Sequence, residues 1–167
     1  CLVGSEMCIR DRFSPFWRNA EEKYLSLPPS KNYVVKKKIK LISFFKNSIE
    51  PKKILPKNNW YKKFEKYWKV SENESKKVLN NLIEKKIKDY GTARDYPSIE
   101  GTSKLSPYIK HGQIHVSTIW QKCNEIKSKG IGYRKYVNEL GWREFSHSLI
   151  NYFPKFLKGN YRKEFDK

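Results

Sequence analysis

The sequence predicts an all-α protein, on three observations. Val78, Leu79, Leu82, Ile83 and Ile87 recur at the 3.6-residue period of a helix with one buried face. Helix-start signals stand where such patterns begin. Ser71 has Glu74 three residues on, at capping-box spacing, and Ser106 is followed by Pro107, which suits a first helical position. Gly91, Gly112, Gly130 and Pro154 interrupt the apolar periodicity, so the pattern divides into helices joined by loops.

The chain has 167 residues, enough for one domain with a real core. Its 36 Lys and Arg against 17 Asp and Glu give a formal net charge of +19. Such a balance predicts polyanion partners, nucleic acid before an anionic membrane. Most of the excess is Lys, accompanied by abundant Asn, Ile, Phe and Tyr. These residues have AT-rich codons, so genome composition is a competing account of part of the charge. Aromatic residues make up 15%, which argues against disorder. No run approaches the roughly 18 apolar residues that span a membrane. Cys1, Cys8 and Cys123 form no CxxC pair and no Cys/His cluster at zinc spacing, so no metal site is predicted. An odd cysteine count without a secretory signal fits a reducing, cytoplasmic setting.

In chain order, residues 1–12 hold two of the three cysteines and the only Met, and lack the Lys/Asn bias that follows. They resemble translated sequencing-adaptor sequence at the ends of environmental gene fragments. They are expected to be foreign to the fold, with the native chain beginning upstream of Phe13. Residues 13–56 read as an irregular linker or wrapping arm. This arm holds the aromatic segment Phe13, Phe16 and Trp17, the Pro28-Pro29 pair and the basic run Lys36-Lys37-Lys38. Val34, Val35, Ile39, Leu41 and Ile42 suit a short strand or a packed arm, and Pro51 and Pro56 punctuate a second loop. From 57 to 167 the character is helical. Trp60, Phe64 and Trp68 recur at intervals of four. The stripe after Ser71 predicts a helix up to Tyr90, with Gly91 as its stop. Ile114, Val116, Ile119, Trp120, Cys123 and Ile126 predict another, ending near Gly130. Gly130-Ile131-Gly132 reads as a break, and a last helix is expected from about Arg134 to Tyr152.

Residues 101–112 carry Gly101, Thr102, Ser103 and Ser106 ahead of a short helix capped by Ser106 and stopped by Gly112. A hydroxyl-rich loop at a helix start presents unpaired N–H groups, an anion site best suited to phosphate. An ordinary capped helix after a polar loop is the other reading. On the last helix, Tyr136, Glu139, Leu140 and Arg143 lie along one stripe, and Glu139, Trp142, Arg143 and Ser146 share a face. One helix can therefore present a carboxylate, an aromatic surface and a cation to one pocket. Core packing of Trp142 and an ion pair of Glu139 with Arg143 account for the same residues without a site.

The succession Tyr90, Arg94-Asp95-Tyr96-Pro97, Gly101-Thr102-Ser103-Lys104-Leu105-Ser106-Pro107-Tyr108 and Asn138-Glu139-Leu140-Gly141-Trp142-Arg143-Glu144-Phe145 resembles the DNA photolyase/cryptochrome family, in its FAD-binding helical domain. The resemblance extends over 13–167. It implies that Tyr90, Thr102, Ser103, Leu105, Ser106 and Tyr136 contact FAD, with Arg143 counted among the cofactor-side residues. Arg94 falls on a DNA-backbone position, and Glu139 and Trp142 on the catalytic positions that meet the damaged nucleotides. The implied activity is light-dependent repair of cyclobutane pyrimidine dimers by electron transfer from reduced FAD. The implied protein is a monomer, with a second, antenna chromophore held elsewhere in the family's architecture. Glu at 139 favours repair of cyclobutane dimers, since six-four photolyases and animal cryptochromes tend to carry Gln there. A cryptochrome-type light receptor and a cofactor-free basic nucleic-acid binder are the competing functions. The sequence departs from the family pattern at His115, where a Ser cap is common, and at Ser146-His147-Ser148. The family's Asn facing the flavin ring, a nearby acidic residue and the tryptophan chain used for photoreduction belong to helices later than Lys167. By itself, then, the 167-residue chain is expected not to hold FAD tightly. Stoichiometric yellow flavin absorption of the purified chain would overturn that expectation.

Overall fold

The computed structural model describes residues 12–28 and 56–160, and every regular element among them is helical. Along the chain these are α1 (Phe13–Leu25), a 3-10 helix (Asn59–Lys66), α2 (Glu72–Asn81), a π-helical segment (Leu82–Lys86), α3 (Tyr90–Ala93), α4 (Ser106–Lys110), α5 (Val116–Asn124), α6 (Ile131–Tyr152) and a closing 3-10 turn (Pro154–Leu157). The adaptor-like residues 1–11, the basic run at Lys36, the apolar group from Val34 to Ile42, Pro29 and Pro51 lie outside the described residues. The all-α expectation holds.

The aromatic segment expected in an irregular arm is instead the helix α1. Phe13, Phe16, Trp17, Ala20 and Tyr24 fall at i, i+3, i+4, i+7 and i+11, one continuous helical stripe that packs on the core. Pro15 sits in the first turn, where its missing N–H removes no helical bond. The stripe gives α1 its stability through packing, because a 13-residue helix is marginal alone. Trp17 is buried, and its ring stacks on Trp120 with centroids 5.6 Å apart. It lies against Gly141 of α6 so closely that a Cβ there would stand 2.8 Å from the indole.

Ser71 caps α2 as its spacing predicts, its Oγ accepting the Glu74 N–H at 3.1 Å. The helix does not run unbroken to Tyr90. It widens into the π-helical segment, where the Ile87 N–H donates to the Leu82 carbonyl at 2.8 Å. The extra residue per turn keeps Leu82 and Ile87, five apart, on one buried face; a regular helix would turn one of them towards solvent. Gly91 therefore lies inside α3 and is not a helix stop.

The α4 start is also shifted from the expected one. Leu105 takes the cap position, and Ser106 and Pro107 occupy the first turn with no side-chain cap bond. Its end agrees with the sequence. Gly112 adopts φ +70°, the Gly112 N–H donates to Ile109 O at 3.2 Å, and the Gln113 N–H donates to Tyr108 O at 2.9 Å. At α5, His115 does the capping: its Nδ1 accepts the Ser117 N–H at 3.2 Å. The helix stops at Asn124, short of Gly130. The break expected at Gly130-Ile131-Gly132 is the start of α6, with Gly130 as its cap residue.

The longest helix, α6, organises the rest, meeting α1, α3 and α5. Trp120, Ile119, Leu82, Leu105, Val137 and Cys123 form the driest part of the core. Burial pushes the Cys123 thiol up to about 12, so it is a packing group and not a nucleophile. A very tight contact is at Gly132, where a Cβ would stand 2.1 Å from the Ile87 carbonyl oxygen and 2.5 Å from that of Lys88. Gly132→Ala is expected to force these backbones apart at a cost of about 1–3 kcal/mol. Thermal unfolding followed by circular dichroism should fall by several degrees, and an unchanged midpoint would refute the close contact.

Candidate functional site

The residues singled out by sequence are presented at the contact between α3 and the N-terminal half of α6, the most extensive packing between elements. The Gly132 approach brings the two backbones together. Tyr90 on α3 and Tyr136 on α6 then meet edge to face, centroids 5.1 Å apart and planes at 84°. Arg94, just past α3, swings its guanidinium over Tyr90 with the central carbon 5.7 Å from the ring centroid. The same guanidinium forms an ion pair with Glu139 of α6 through Nη1, and its Nε lies 3.5 Å from Asp95 Oδ1. Tyr90, Arg94, Tyr136 and Glu139 are thus one group, with two members from each side of the contact.

Electrostatically the group is poised between burial and charge. Burial raises the Tyr90 phenol above its ordinary value, with Arg94 opposing and Glu139 adding. Burial raises Tyr136 well above it. Burial disfavours the Arg94 charge, but Glu139 outweighs it and the guanidinium is held more strongly protonated than usual. Arg94 Nη1 touches Glu139 as an ion pair without forming an aligned hydrogen bond. The Tyr136 hydroxyl lies close enough to Ser103 to feel it, yet no hydrogen bond of good geometry reaches it. The Tyr136 hydroxyl is therefore a buried polar group with capacity to spare, while Arg94 Nη1 is taken up by Glu139. Buried polar atoms are normally satisfied, and the Trp17 and Trp120 indole nitrogens and the Tyr133 hydroxyl share this state.

The hydroxyl loop is fixed against the same contact. A Cβ on Gly101 would lie 2.1 Å from the Ala93 carbonyl oxygen, so only glycine lets the loop pass the end of α3. Lys86 Nζ donates to the Thr102 carbonyl at 3.4 Å. Lys104 takes a left-handed φ of 55°, unusual without glycine, and its Nζ pairs with Glu100. Leu105 is buried and anchors the loop's exit, while the Ser103 Oγ accepts the Leu105 N–H at 3.4 Å. Thr102 and Ser106 are exposed. With only five residues, α4 carries little macrodipole. Any anion affinity here comes from the loop hydroxyls, the local N–H groups and the lysines.

Two predicted neighbours do not join the group. Arg143 turns its Nη1 to Glu144, and together they act on Tyr24 of α1. The expected stripe of Tyr136, Glu139 and Arg143 is thereby split, and Arg94 takes the place beside Glu139 that Arg143 was read as filling. Trp142 is 46% exposed, not a core residue, but Phe13 of α1 stacks on it with centroids 3.8 Å apart and planes 10° apart. Phe145 meets it edge-on at 5.8 Å. Phe13 is the neighbour of Trp142 that the sequence did not bring to it, and the α1 stripe was the available signal. Among the described residues, no cluster of His, Cys, Asp and Glu is arranged to hold a metal. No helix among them is long and apolar enough to cross a membrane.

No protein-family model matches the chain. Curated relatives do. The deoxyribodipyrimidine photo-lyase of Agrobacterium fabrum is 29% identical over 162 residues, covering 92% of this chain and 33% of that protein. That of Alkalihalophilus pseudofirmus is 34% identical over 98 residues, 58% of this chain and 20% of the relative. That of Thermus thermophilus is 38% identical over 77 residues, 46% of this chain and 18% of the relative. Among solved structures, a bacterial class III photolyase from Agrobacterium tumefaciens superposes with a TM-score of 0.59 at 30% identity, over 67% of this chain and 24% of that one. The chain thus spans about a third or less of the length of each of these proteins.

The two buried phenols make the site sensitive to alkali. A phenol whose folded value lies above the ordinary value near 10 stabilises the fold fully below that pH, and the contribution is lost as pH rises through the raised value. Tyr136→Phe should therefore move the midpoint of alkaline unfolding to higher pH while changing stability at pH 7 little, since the hydroxyl has no partner to lose. Circular dichroism against pH checks this. An unmoved midpoint would show that Tyr136 is not held protonated by the fold.

Proposed function

We propose, on the premise that the chain belongs to the deoxyribodipyrimidine photo-lyase family, that it forms one wall of the flavin and lesion site of an enzyme repairing cyclobutane pyrimidine dimers in DNA. The observation that carries this reading is the Tyr90–Arg94–Tyr136–Glu139 group with its buried, unpartnered Tyr136 hydroxyl, set against the hydroxyl loop. The repair activity is proposed for the longer protein type that these relatives represent, acting as a monomer in the cytoplasm.

The donor set suits FAD. Tyr90, Ser103, Leu105 and Tyr136 offer a partly apolar wall with two hydroxyls, and the exposed Thr102 and Ser106 hydroxyls are free to meet a pyrophosphate. Arg143, paired with Glu144, would act on the cofactor side only through the surface of α6. When bound, reduced FAD supplies a light-driven one-electron donor, with an antenna pigment elsewhere in the protein. The chain's own residues bind, orient and exclude water. A dimer extruded from the duplex needs a flat surface and a partner for its carbonyl and N–H edge. Trp142 offers the face that Phe13 leaves open, and the Phe13 stack holds the indole at a fixed angle. Glu139 meets the polar edge, held in position by Arg94. Arg94 in turn is partly exposed and suited to reach a backbone phosphate, and the surrounding lysines make binding strongly dependent on salt.

In the full-length protein, dimers in ultraviolet-irradiated DNA should disappear under blue light and persist in darkness. Glu139→Ala should lower the repair yield about tenfold or more, the worth of a hydrogen bond to a charged group of ~1.5–3 kcal/mol, with flavin retained. Thr102→Ala combined with Ser106→Ala should instead weaken flavin retention. Bound flavin with no light-dependent repair would favour a receptor, and repair untouched by Glu139→Ala would remove that residue's role.

A further inference from the structure

Residues 56–70 carry five lysines against a single glutamate, and aromatic rings stand between them. Trp60, Phe64 and Tyr67 are 56%, 53% and 72% exposed. They lie on and just after the 3-10 helix Asn59–Lys66, where residues three apart eclipse. Phe64 and Tyr67 therefore line one edge, and Trp60, Lys63 and Lys66 line the next. Trp60 meets Phe64 nearly perpendicularly, centroids 5.8 Å apart and planes at 79°, so the rings brace each other without hiding their faces. Lys66 Nζ lies 5.7 Å from the Tyr67 ring centroid. The segment is tied down at its end, where Trp68 packs on Tyr108 at 6.1 Å and the Tyr108 hydroxyl donates to the Lys69 carbonyl at 3.0 Å. It is a braced surface, and none of its residues belongs to the Tyr90–Glu139 group.

We propose that this segment is a binding platform for single-stranded nucleic acid, bases stacking on Trp60 and Phe64 and phosphates meeting Lys62, Lys63 and Lys66. Charge and ring type commit the surface to that partner. Rings with open faces interleaved with cations are the two parts that single-strand binding requires, because every base has a stacking face and every nucleotide a negative charge. A lipid surface is met by a continuous apolar stripe, and the exposed residues at 60, 64 and 67 are separate rings with lysines between them. Binding here needs neither a lesion nor a flavin, so it goes beyond the repair reading and stands independently of it.

The test is fluorescence anisotropy of a labelled, undamaged oligothymidylate of about 16 nucleotides titrated with the whole chain. Binding should weaken steeply with salt. Trp60→Ala with Phe64→Ala should lower affinity about tenfold or more. Trp60→Leu, which keeps apolar bulk but removes the stacking face, should also weaken binding if the variants hold their circular dichroism spectrum. Affinity unaffected by these changes overturns the proposal, as does quenching of tryptophan fluorescence by phosphatidylglycerol vesicles in place of oligonucleotide binding. A large fall in melting temperature in Trp60→Leu would overturn it too, by assigning the ring to the chain's own packing.

Discussion

The structure depends on one backbone contact without side chains. At Gly132 the start of α6 comes so close to the carbonyls of Ile87 and Lys88 that not even a methyl group fits. That approach fixes where α3 lies on α6, and the rest of the site follows. Tyr90 reaches Tyr136, Arg94 crosses to Glu139, and the Gly101 loop is pressed onto the end of α3 by a second contact of the same kind. The π-helical segment is the local accommodation. It supplies the extra residue that lets the chain arrive at Gly132 with Leu82 and Ile87 both still buried. Interior packing of this density transmits a small displacement rather than absorbing it, so the geometry of the ion pair is set at the glycine.

A second organising feature is the aromatic ladder on the other side of α6. Trp142, Phe13, Trp17 and Trp120 follow one another with centroid separations of 3.8, 6.2 and 5.6 Å. Gly141 makes room for Trp17 in the middle of it. Thus the two faces of α6 do different things. One carries the charged and phenolic group, and the other receives α1. Glu139 and Trp142, three apart, stand at the border, which is why one pairs with α3's neighbour and the other with α1.

Much of this was legible in the residues. The α2 stripe, its Ser71 cap, the Gly112 stop and the long last helix were visible because local chemistry decides them. The joining of Tyr90, Arg94, Tyr136 and Glu139 was legible only as a set of motifs in order, since no spacing along the chain reports a contact between two elements. What was misread was decided by tertiary packing. The helix through Val78 to Tyr90 gives way to the π-helical segment, which keeps Leu82 and Ile87 both buried. The cap position expected for Ser106 is held by Leu105, whose side chain is buried in the core. The segment expected as an arm is the helix α1 because its stripe of Phe13, Phe16, Trp17, Ala20 and Tyr24 is stabilised by packing on the core, which no local signal reports.

The three tight glycines also bear on how such a sequence can change over generations. Its composition leans towards Lys, Asn, Ile, Phe and Tyr, as AT-biased mutation would favour, and exposed helix positions accept that drift with little penalty. Glycine codons open on a guanine pair and are among the first that such pressure erodes. At Gly101, Gly132 and Gly141 erosion meets a carbonyl oxygen or an indole ring already standing where the new Cβ must go. These positions set a steric floor beneath the drift: composition can slide almost everywhere else, but here the nucleotide bias has to yield to van der Waals radii.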